Sequence, residues 1–418
     1  MTTAGLARAE EPGAKLPAAG APVVPRPARR LLHLISTLDP RTGGPVEGLR
    51  QICTHINGTR EWHADIVSLD APDAGFLADF EAAPVAAVGP AVGKYAYSAR
   101  LRPWLRRHGP HYDAIVVHGL WQYAGLAVWL ERGIGVPYFQ FTHGMLDPWF
   151  KHEYPLKHLK KWLYWPWAQY RILRDAAGVL FTCEEESLLA PKSFWLYQAT
   201  PIVVGYGISP PPPDAAGQCR AFLDAFPELE GRRCLLFFGR LHPKKGCDLL
   251  VDAFARVCMG RPDLQLVMAG PGDRDYVGAL QKQAADRGIA AQVTWTGMLS
   301  GDAKWGALRC AEAFVLPSHQ ENFGVAVAEA MACGTPVLIS DKVNIWREIK
   351  EDAAGLVATD DAAGTVRLLS DWVALPPEAR AATGARAAAS YAGRFTIDRS
   401  GARLLEAIDR RGMELVRP

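Results

Sequence analysis

Two glutamates lie in a short segment where a predicted strand leads into a predicted helix. The segment from Glu321 to Glu329 reads E-N-F-G-V-A-V-A-E, so seven residues separate the two carboxylates. An apolar run at 313–317 precedes it, and small apolar residues continue to Cys333 and favour a helix. Amides at the helix N-terminus would lie beside the first carboxylate, and the second would follow about two turns later on roughly the same face. Two acceptors spaced in this way suit a ligand rich in hydroxyl groups better than a metal ion.

A glycine-bounded basic loop lies upstream of this segment. An apolar run ending at Phe238 predicts a buried strand, and the next residues, Gly239 to Gly246, read G-R-L-H-P-K-K-G. Glycine lets the backbone approach a ligand, Arg240 can donate to two oxygens at once, and Lys245 adds a compact positive charge. The loop therefore predicts a phosphate-binding site at the start of the following helix. The plain alternative is a solvated basic loop.

Together the two segments resemble the retaining glycosyltransferases of family 4, which combine an E-x7-E element with an upstream G-R-L…K-G loop. The resemblance extends from about Leu31 to Ile408 and is densest from Gly239 to Gly355. It implies an α/β protein of GT-B architecture, with two Rossmann-like domains that face each other across a cleft. It also implies a nucleotide-diphosphate sugar as the donor and a glycan hydroxyl as the acceptor.

The resemblance assigns a role to each candidate catalytic residue. Arg240 and Lys245 would hold the donor diphosphate and stabilise the charge that grows on it as the glycosidic bond breaks. Glu321 would contact hydroxyls of the donor sugar, and Glu329 would bind the ribose. His143, which follows a predicted strand, would donate a hydrogen bond to the sugar or, less readily, act as a general base, and a satisfied histidine beneath a loop is its structural alternative. The other candidate donor-binding residues lie at strand ends and glycine turns: Gly43, Gly44, Gly239, Gly270, Gly272, Thr296, Gly297, Met298, Ser318, His319, Asn322, Phe323 and Gly324.

The elements that must position these residues form two similar halves. Short buried strands alternate with helix-like segments, a pattern that favours doubly wound parallel sheets. At 418 residues the chain is long enough for two domains, and four consecutive prolines after Ser209 predict a stiff linker. Tyr206, beside this linker, departs from the family, which usually shows Pro-Asn-Gly there. The predicted organisation is a disordered leader (1–29), an N-terminal acceptor domain (30–207), the linker (208–214), a nucleotide-sugar-binding domain (215–392) and a helix that crosses back to the first domain (393–418).

Composition excludes several classes of function. Forty-six basic and 44 acidic residues leave almost no net charge, so we expect no nucleic-acid partner. Eight cysteines without a C-x-x-C pair, and no apolar run of the ~18–20 residues that span a bilayer, predict a cytoplasmic protein. The D-R-D sequence from Asp273 to Asp275 is better explained by capping of a helix than by metal binding, so we expect no cofactor and no obligatory metal ion.

A segment from Asp147 to Arg174 is rich in both aromatic residues and cations. Aromatic side chains among lysines and arginines suit peripheral contact with an anionic membrane, here the inner face of the plasma membrane, or an acceptor that carries a lipid diphosphate. An ordinary helix with a buried tryptophan-rich face explains the same composition. Burial of all four tryptophans would remove the membrane hypothesis. They are Trp149, Trp162, Trp165 and Trp167.

The resemblance points to bacterial exopolysaccharide or lipopolysaccharide synthesis, with a lipid-linked glycan as acceptor. No carboxylate pair suggests the double displacement of retaining hydrolases, so front-face attack is the implied mechanism. Two alternatives stay open: a scaffold that keeps the fold without the chemistry, and a GT-B phosphorylase or epimerase. Retention of Arg240, Lys245, Glu321 and Glu329 argues against the scaffold.

Overall fold

The computed structural model describes residues 28–416, without the side chains of His152 and residues 412–416. Most of the predicted leader, residues 1–27, lies outside the described residues. Arg29, its last residue, already belongs to the first strand, where its amide donates to the carbonyl of Glu61 at 2.9 Å.

The first domain contains a parallel sheet of seven strands. Its strands are β1 Arg29–Ile35, β2 Trp62–Ser68, β3 Val85–Ala87, β4 Ala114–His118, β5 Tyr138–Phe141, β6 Gly178–Phe181 and β7 Pro201–Val203. They are arranged in the order β3-β2-β1-β4-β5-β6-β7, so the chain changes direction across the sheet between β1 and β4. Ligands of open parallel sheets bind at the carboxyl ends of the strands beside such a switch point.

Helices cover both faces of this sheet. One face packs Leu31 and Val116 against helix α1, Gly44–Asn57. The other packs Leu32 and Val117 against helices that include α3, Tyr123–Leu130. Burial on both faces explains why the strands read as short continuous apolar runs. A five-residue π-helix, Trp165–Gln169, joins α5 to α6. The helices are α1 Gly44–Asn57, α2 Leu101–His108, α3 Tyr123–Leu130, α4 Trp149–Glu153, α5 Pro155–Tyr164, α6 Tyr170–Arg174 and α7 Glu184–Leu189.

The second domain repeats the design with a parallel sheet of six strands. They are β8 Arg233–Phe238, β9 Leu264–Ala269, β10 Val293–Gly297, β11 Ala313–Leu316, β12 Val337–Ser340 and β13 Gly355–Ala358, in the order β10-β9-β8-β11-β12-β13. The switch point lies between β8 and β11, and these strands precede the basic loop and the E-x7-E segment. The helices are α8 Ala215–Ala225, α9 Cys247–Val257, α10 Arg274–Asp286, α11 Gly301–Cys310, α12 Val325–Ala332, α13 Trp346–Glu351, α14 Ala362–Ala374 and α15 Pro377–Arg394.

The chain then returns to the first domain. Helix α16, Ile397–Val416, buries Leu404 and Ile408 in the same core as Leu49 of α1. On the way, the amide of Ile397 donates to the carbonyl of Ile208 at 3.1 Å, which ties the return to the start of the proline linker. The two parallel-sheet α/β domains confirm the predicted fold class.

Two departures from the predicted strands have a physical cause. No apolar run marked β3, Val85–Ala87, because two of its three residues are alanine and all three are only half-buried. The apolar run at 136–141 predicts a strand from Val136, but β5 begins at Tyr138, since Pro137 has no N–H to donate to a sheet ladder.

Candidate active site

The basic loop follows β8 and is held close to its neighbours by glycines. Gly270, which follows β9, has φ 140°, and a Cβ there would collide with the carbonyl of Gly239. Gly246 begins α9 in the left-handed region at φ 65°, and a Cβ there would collide with the carbonyl of Pro317. The glycines therefore let three strand ends approach one another closely.

The two candidate phosphate-binding cations of this loop, Arg240 and Lys245, have different surroundings. The Arg240 side chain is exposed and makes no ion pair with any other described residue. Lys245 forms an ion pair with the carboxylate of Glu321. Burial, then the neighbouring Lys244 cation, lowers the pKa of the Lys245 ammonium to about 8, so it is still mostly protonated at neutral pH.

The E-x7-E segment leads from β11 into α12. Glu321 is fixed through its backbone, since its amide donates to the carbonyl of Lys342 at 2.9 Å and its carbonyl accepts from Asn344 at 3.0 Å. Gly324 has φ 81° and supplies the left-handed residue that starts α12. A Cβ on Gly324 would lie 3.5 Å from Cγ of Glu321, so this side chain lies beside the N-terminus of α12, as the strand–loop–helix pattern predicted.

Glu329 is paired with a residue that the sequence analysis missed. The Nζ of Lys304, on α11, donates to Oε1 of Glu329 at 2.6 Å, while burial raises the pKa of this carboxyl group. No local signal marks Lys304, because it lies on another helix and meets Glu329 only in the folded chain. Lys304 thus adds a cation next to the second glutamate of the E-x7-E segment.

The opposing wall of the cleft comes from the loop after β5. His143 has φ 48°, an uncommon conformation for a residue with a side chain, and such strain concentrates at functional sites. Its Nε2 lies 2.9 Å from Nδ1 of His118, the last residue of β4. Burial lowers the pKa of His143 to about 4, so the imidazole is neutral at pH 7.

A buried carboxylate that the sequence analysis also missed holds this loop. Oε1 of Glu186 accepts from the hydroxyl of Thr142 and the amide of Gly144, both at 2.6 Å. Oε2 accepts from the amide and hydroxyl of Thr182, at 2.8 and 2.6 Å. These donors satisfy both oxygens of a carboxylate whose side chain is only 2 % exposed. Its only sequence signal is a run of three glutamates at the start of α7.

The two walls touch beside these residues. The side chain of Asn322 donates to the Thr182 hydroxyl at 3.1 Å, and Gln320 donates to Asp147 at 2.9 Å. A Cβ on Gly144 would lie 2.5 Å from Cγ of Asn322. The contact therefore brings the loop that carries His143 against the loop that carries Glu321.

The remaining loop residues of the second domain act in different ways. Ser318 is fully buried, and its hydroxyl lies 3.0 Å from the carbonyls of Lys244 and Gln320, so it holds the loops together. Nδ1 of His319 lies 2.9 Å from Asp360. Phe323 is buried against Tyr206, with ring centroids 5.2 Å apart. The side chains of Ser318 and Phe323 therefore support the backbone instead of lining the cleft.

The candidate glycine turns follow strands in both domains. Gly43 (φ 83°) and Gly44 are exposed at the start of α1, where the Tyr206 hydroxyl donates to the Gly44 carbonyl at 2.7 Å. Gly272 packs closely against Leu241, which leaves no room for a side chain. The end of β10 is open to solvent: Gly297 is exposed, Thr296 is half-buried and Met298 is 76 % exposed.

Asp273 caps α10, as the sequence predicts. Its carboxylate accepts from the amides of Asp275 and Tyr276 at 3.0 and 3.3 Å. Within residues 28–416, no group of three or more His, Cys, Asp or Glu side chains is arranged to hold a metal ion.

The tryptophan-rich segment divides between the core and the surface. Trp165 is fully buried, whereas Trp162 is 41 % exposed and Trp167 is 52 % exposed. Neither membrane contact nor a buried tryptophan-rich helix face therefore accounts for the whole segment. In the described part of the chain, no helix is both long and apolar enough to cross a membrane.

Comparison with known proteins agrees with this architecture. A model of the glycosyl transferase 4-like domain matches residues 43–204, and a model of the group 1 glycosyl transferases matches residues 221–389, so the two together match most of the chain. The Anabaena protein Alr3699/HepE, solved in complex with UDP and glucose, superposes with a TM-score of 0.71 at 18% identity, over 91% of this chain and 100% of that one. WaaG, a glycosyltransferase involved in lipopolysaccharide biosynthesis, gives a TM-score of 0.60 at 16% identity, over 93% and 100%.

Curated relatives match shorter regions. An uncharacterised glycosyltransferase of Methanocaldococcus jannaschii is 36% identical over 149 residues, which is 34% of this chain and 37% of that protein. A D-inositol 3-phosphate glycosyltransferase of Jonesia denitrificans is 29% identical over 260 residues, 57% of this chain and 58% of that protein. The match therefore spans less than two thirds of either relative. The two family models match in chain order, and each lies on one of the two parallel-sheet domains. The chain therefore belongs to the group 1 glycosyltransferases and has the GT-B fold.

Proposed function

We propose that the chain is a retaining glycosyltransferase that moves a hexose from a nucleotide-diphosphate sugar to a hydroxyl of a glycan acceptor. One observation carries the proposal. Arg240, Lys245 and Glu321 converge at the carboxyl edge of the second sheet, and this edge touches the His143–Gly144 loop of the first domain. Cations for a diphosphate thus lie beside a carboxylate for sugar hydroxyls, in a cleft between two domains.

The residues of the site suggest how the reaction proceeds. Arg240 and Lys245 bind the diphosphate and stabilise its growing negative charge as the glycosidic bond breaks. Lys245 exchanges its ion pair with Glu321 for the phosphate oxygens, which frees the carboxylate to accept hydrogen bonds from the sugar. The acceptor hydroxyl attacks from the face that the diphosphate leaves, and a phosphate oxygen takes its proton. Because two cations serve the leaving group, the mechanism needs no obligatory divalent metal.

The relatives support a nucleotide-sugar donor. The Anabaena protein with the same fold was solved with UDP and with UDP-glucose, and the Jonesia relative is an inositol-phosphate glycosyltransferase. A Mycolicibacterium smegmatis relative, 36% identical over 150 residues, is a phosphatidyl-myo-inositol mannosyltransferase. Transfer to a lipid-linked acceptor in bacterial exopolysaccharide or lipopolysaccharide synthesis fits these neighbours.

The most direct test follows the fate of the sugar. Wild-type protein incubated with UDP-, GDP- and ADP-sugars and glycan acceptors should release a nucleoside diphosphate with one donor. Proton NMR of the product should show the anomeric configuration of the donor. Lys245→Met should remove turnover, whereas Lys350→Met, which removes an exposed lysine on α13, should not. An inverted product would reject the retaining mechanism. Turnover with free phosphate in place of an acceptor would favour a phosphorylase, and a folded protein that binds no donor would favour a scaffold.

We further propose that the protein acts on the cytoplasmic face of a membrane and contacts it through α5. Leu156, Leu159 and Leu163, spaced by three and four residues along one face of this helix, are 78 %, 57 % and 66 % exposed. Trp162 extends this apolar surface to Trp195, with ring centroids 5.8 Å apart. The segment and its neighbours also carry exposed cations, which would complement anionic headgroups: Lys151, Lys157, Lys160, Arg171 and Lys192.

Liposome flotation tests the membrane proposal. Wild type should float with anionic vesicles at low salt and less with neutral ones, and Leu156→Ser/Leu163→Ser should remain in solution. Met259→Ser, which changes a residue 74 % exposed in the second domain, is the matched control and should float like wild type. Equal flotation of the two variants would reject α5 as the contact.

A further inference from the structure

Three histidines form a line across the first sheet. His33 lies on β1, His118 ends β4, and His143 follows β5, and these three strands are neighbours in the sheet. Nδ1 of His33 is 2.9 Å from Nε2 of His118, and Nδ1 of His118 is 2.9 Å from Nε2 of His143. The line therefore runs from the centre of the sheet to the cleft. The function proposed above uses only His143.

The surroundings keep all three imidazoles neutral. His33 is fully buried and His118 is 5 % exposed, and burial lowers the pKa of His33 to about 3 and that of His118 well below its usual value. They line a pocket together with apolar residues such as Ile52 and Leu404. Neither a carboxylate nor a cationic side chain is among the described residues that line this pocket.

Counting protons leaves two arrangements. Three neutral imidazoles carry three N–H groups, and each of the two histidine–histidine hydrogen bonds needs one of them. In the first arrangement every proton is on Nδ1, so His33 donates to His118, His118 donates to His143, and His143 keeps a free Nδ1–H. In the second, every proton is on Nε2, the donors are reversed, and the free N–H is on His33.

The buried end of the line decides between them. Nε2 of His33 is buried and has no hydrogen-bond partner among the described residues. The second arrangement would leave an N–H donor unmatched there, whereas the first leaves only an unmatched acceptor. Unmatched buried donors are the rarer of the two in proteins. Nδ1 of His143, at the other end, makes no hydrogen bond within the described residues and can meet a ligand.

We propose that His33 and His118 are positioning residues that fix His143 as the Nδ1–H tautomer, so that it donates a hydrogen bond into the cleft. The identity of its acceptor rests on the function proposed above and would be a hydroxyl oxygen of the donor sugar. His143 then cannot act as a general base, because Nδ1 already carries a proton and Nε2 accepts from His118. The line of three histidines thus selects the first of the two roles that the sequence left open for His143.

Nitrogen-15 NMR of the ligand-free full chain tests the tautomer directly. In protein labelled on its histidine rings, long-range proton–nitrogen spectra at neutral pH distinguish a protonated Nδ1 from a protonated Nε2. Signals are assigned by losing them in single substitutions of His33, His118 and His143. We expect a protonated Nδ1 at all three positions, whereas a protonated Nε2 on His143 would overturn the proposal.

Two substitutions at the far end of the line separate positioning from packing. His33→Leu fills the buried space but removes the donor to His118, so the Nδ1–H form of His143 should lose its dominance and kcat/KM should fall roughly tenfold. His33→Asn places an amide N–H near the position of Nδ1 and should restore both. If the leucine variant is folded by circular dichroism and keeps the tautomer of His143, the proposal is wrong.

The outcome can be told apart from a failure of the proposed function. The NMR measurement needs no donor, so a protonated Nδ1 in a protein that binds no nucleotide sugar would reject the function and leave the tautomer assignment intact. Normal turnover in a protein whose His143 carries its proton on Nε2 would reject the tautomer assignment and leave the proposed function intact.

Discussion

Gly144→Ala should block the contact between the two domains without removing the nucleotide site. A Cβ at this position would lie 2.5 Å from Cγ and 2.7 Å from Cβ of Asn322, whereas carbon atoms pack at about 3.5–4.0 Å. Asn322 would therefore have to retreat by about 1 Å, which breaks its hydrogen bond to Thr182. A misplacement of this size lowers kcat/KM about a hundredfold. The dissociation constant for the nucleoside diphosphate, which binds the second domain, should stay the same.

A matched glycine separates this clash from backbone strain. Gly135 has φ 79°, nearly the same as the 78° of Gly144, but a Cβ there would meet no atom within 4 Å. Both alanine variants should lose about 1–2 kcal/mol of unfolding free energy, because both hold a side chain in the left-handed region. Only Gly144→Ala should lose turnover, measured as kcat/KM with the donor that the wild type uses. Equal kcat/KM in the two variants would refute the reasoning.

Three further outcomes follow from the charges of the site. Because the pKa of Lys245 is about 8 and the terminal phosphate is fully ionised above about pH 7, affinity for a nucleoside diphosphate should be constant from about pH 7 to 8. Above pH 8, affinity measured by titration calorimetry should fall by up to about tenfold per pH unit, because the ammonium loses its proton. Lys245→Arg should abolish this fall, and a pH-independent wild type would contradict it. Glu186→Gln turns an amide N–H toward buried donors and should lower the free energy of unfolding in urea by about 2–3 kcal/mol. Glu184→Gln, at an exposed position, should have no such effect. Equal losses in the two variants would show that the Glu186 carboxylate does not hold the His143 loop. Glu329→Gln, which leaves Lys304 without its carboxylate, should weaken nucleoside diphosphate binding about tenfold but spare pyrophosphate; a parallel loss of both would reject a ribose contact.

Local sequence patterns predicted most of the strands and the two loops of the candidate site. Within residues 28–416, apolar runs located twelve of the thirteen strands, because a strand buried on both faces must be apolar along its length. Glycines on either side of Arg240 and Lys245 predicted a loop that approaches a ligand closely. In the structure, Gly246 lies against the carbonyl of Pro317. The strand–loop–helix pattern placed Glu321 in the loop before α12 and Glu329 within the helix.

Partners that lie far apart in the sequence could not be predicted in the same way. Lys304 meets Glu329 because α11 lies beside α12, and Glu186 reaches Gly144 because β5 and β6 are neighbours. These pairings depend on strand order and helix packing, and no short pattern encodes either. The buried side chain of Ser318 shows the converse, since a polar residue at a strand end can serve the loops instead of the ligand.

Calorimetric titration of the wild type and Arg240→Ala with UDP, GDP and ADP tests the central claim most directly. Arg220→Ala, which changes an exposed arginine on α8, is the control. The account predicts that one nucleotide binds the wild type and the control alike, and that Arg240→Ala loses about tenfold or more in affinity, since hydrogen bonds between charged groups contribute about 1.5–3 kcal/mol. Equal affinity in Arg240→Ala, or no binding to folded wild type by any of the three, would contradict a diphosphate site at this edge of the second sheet.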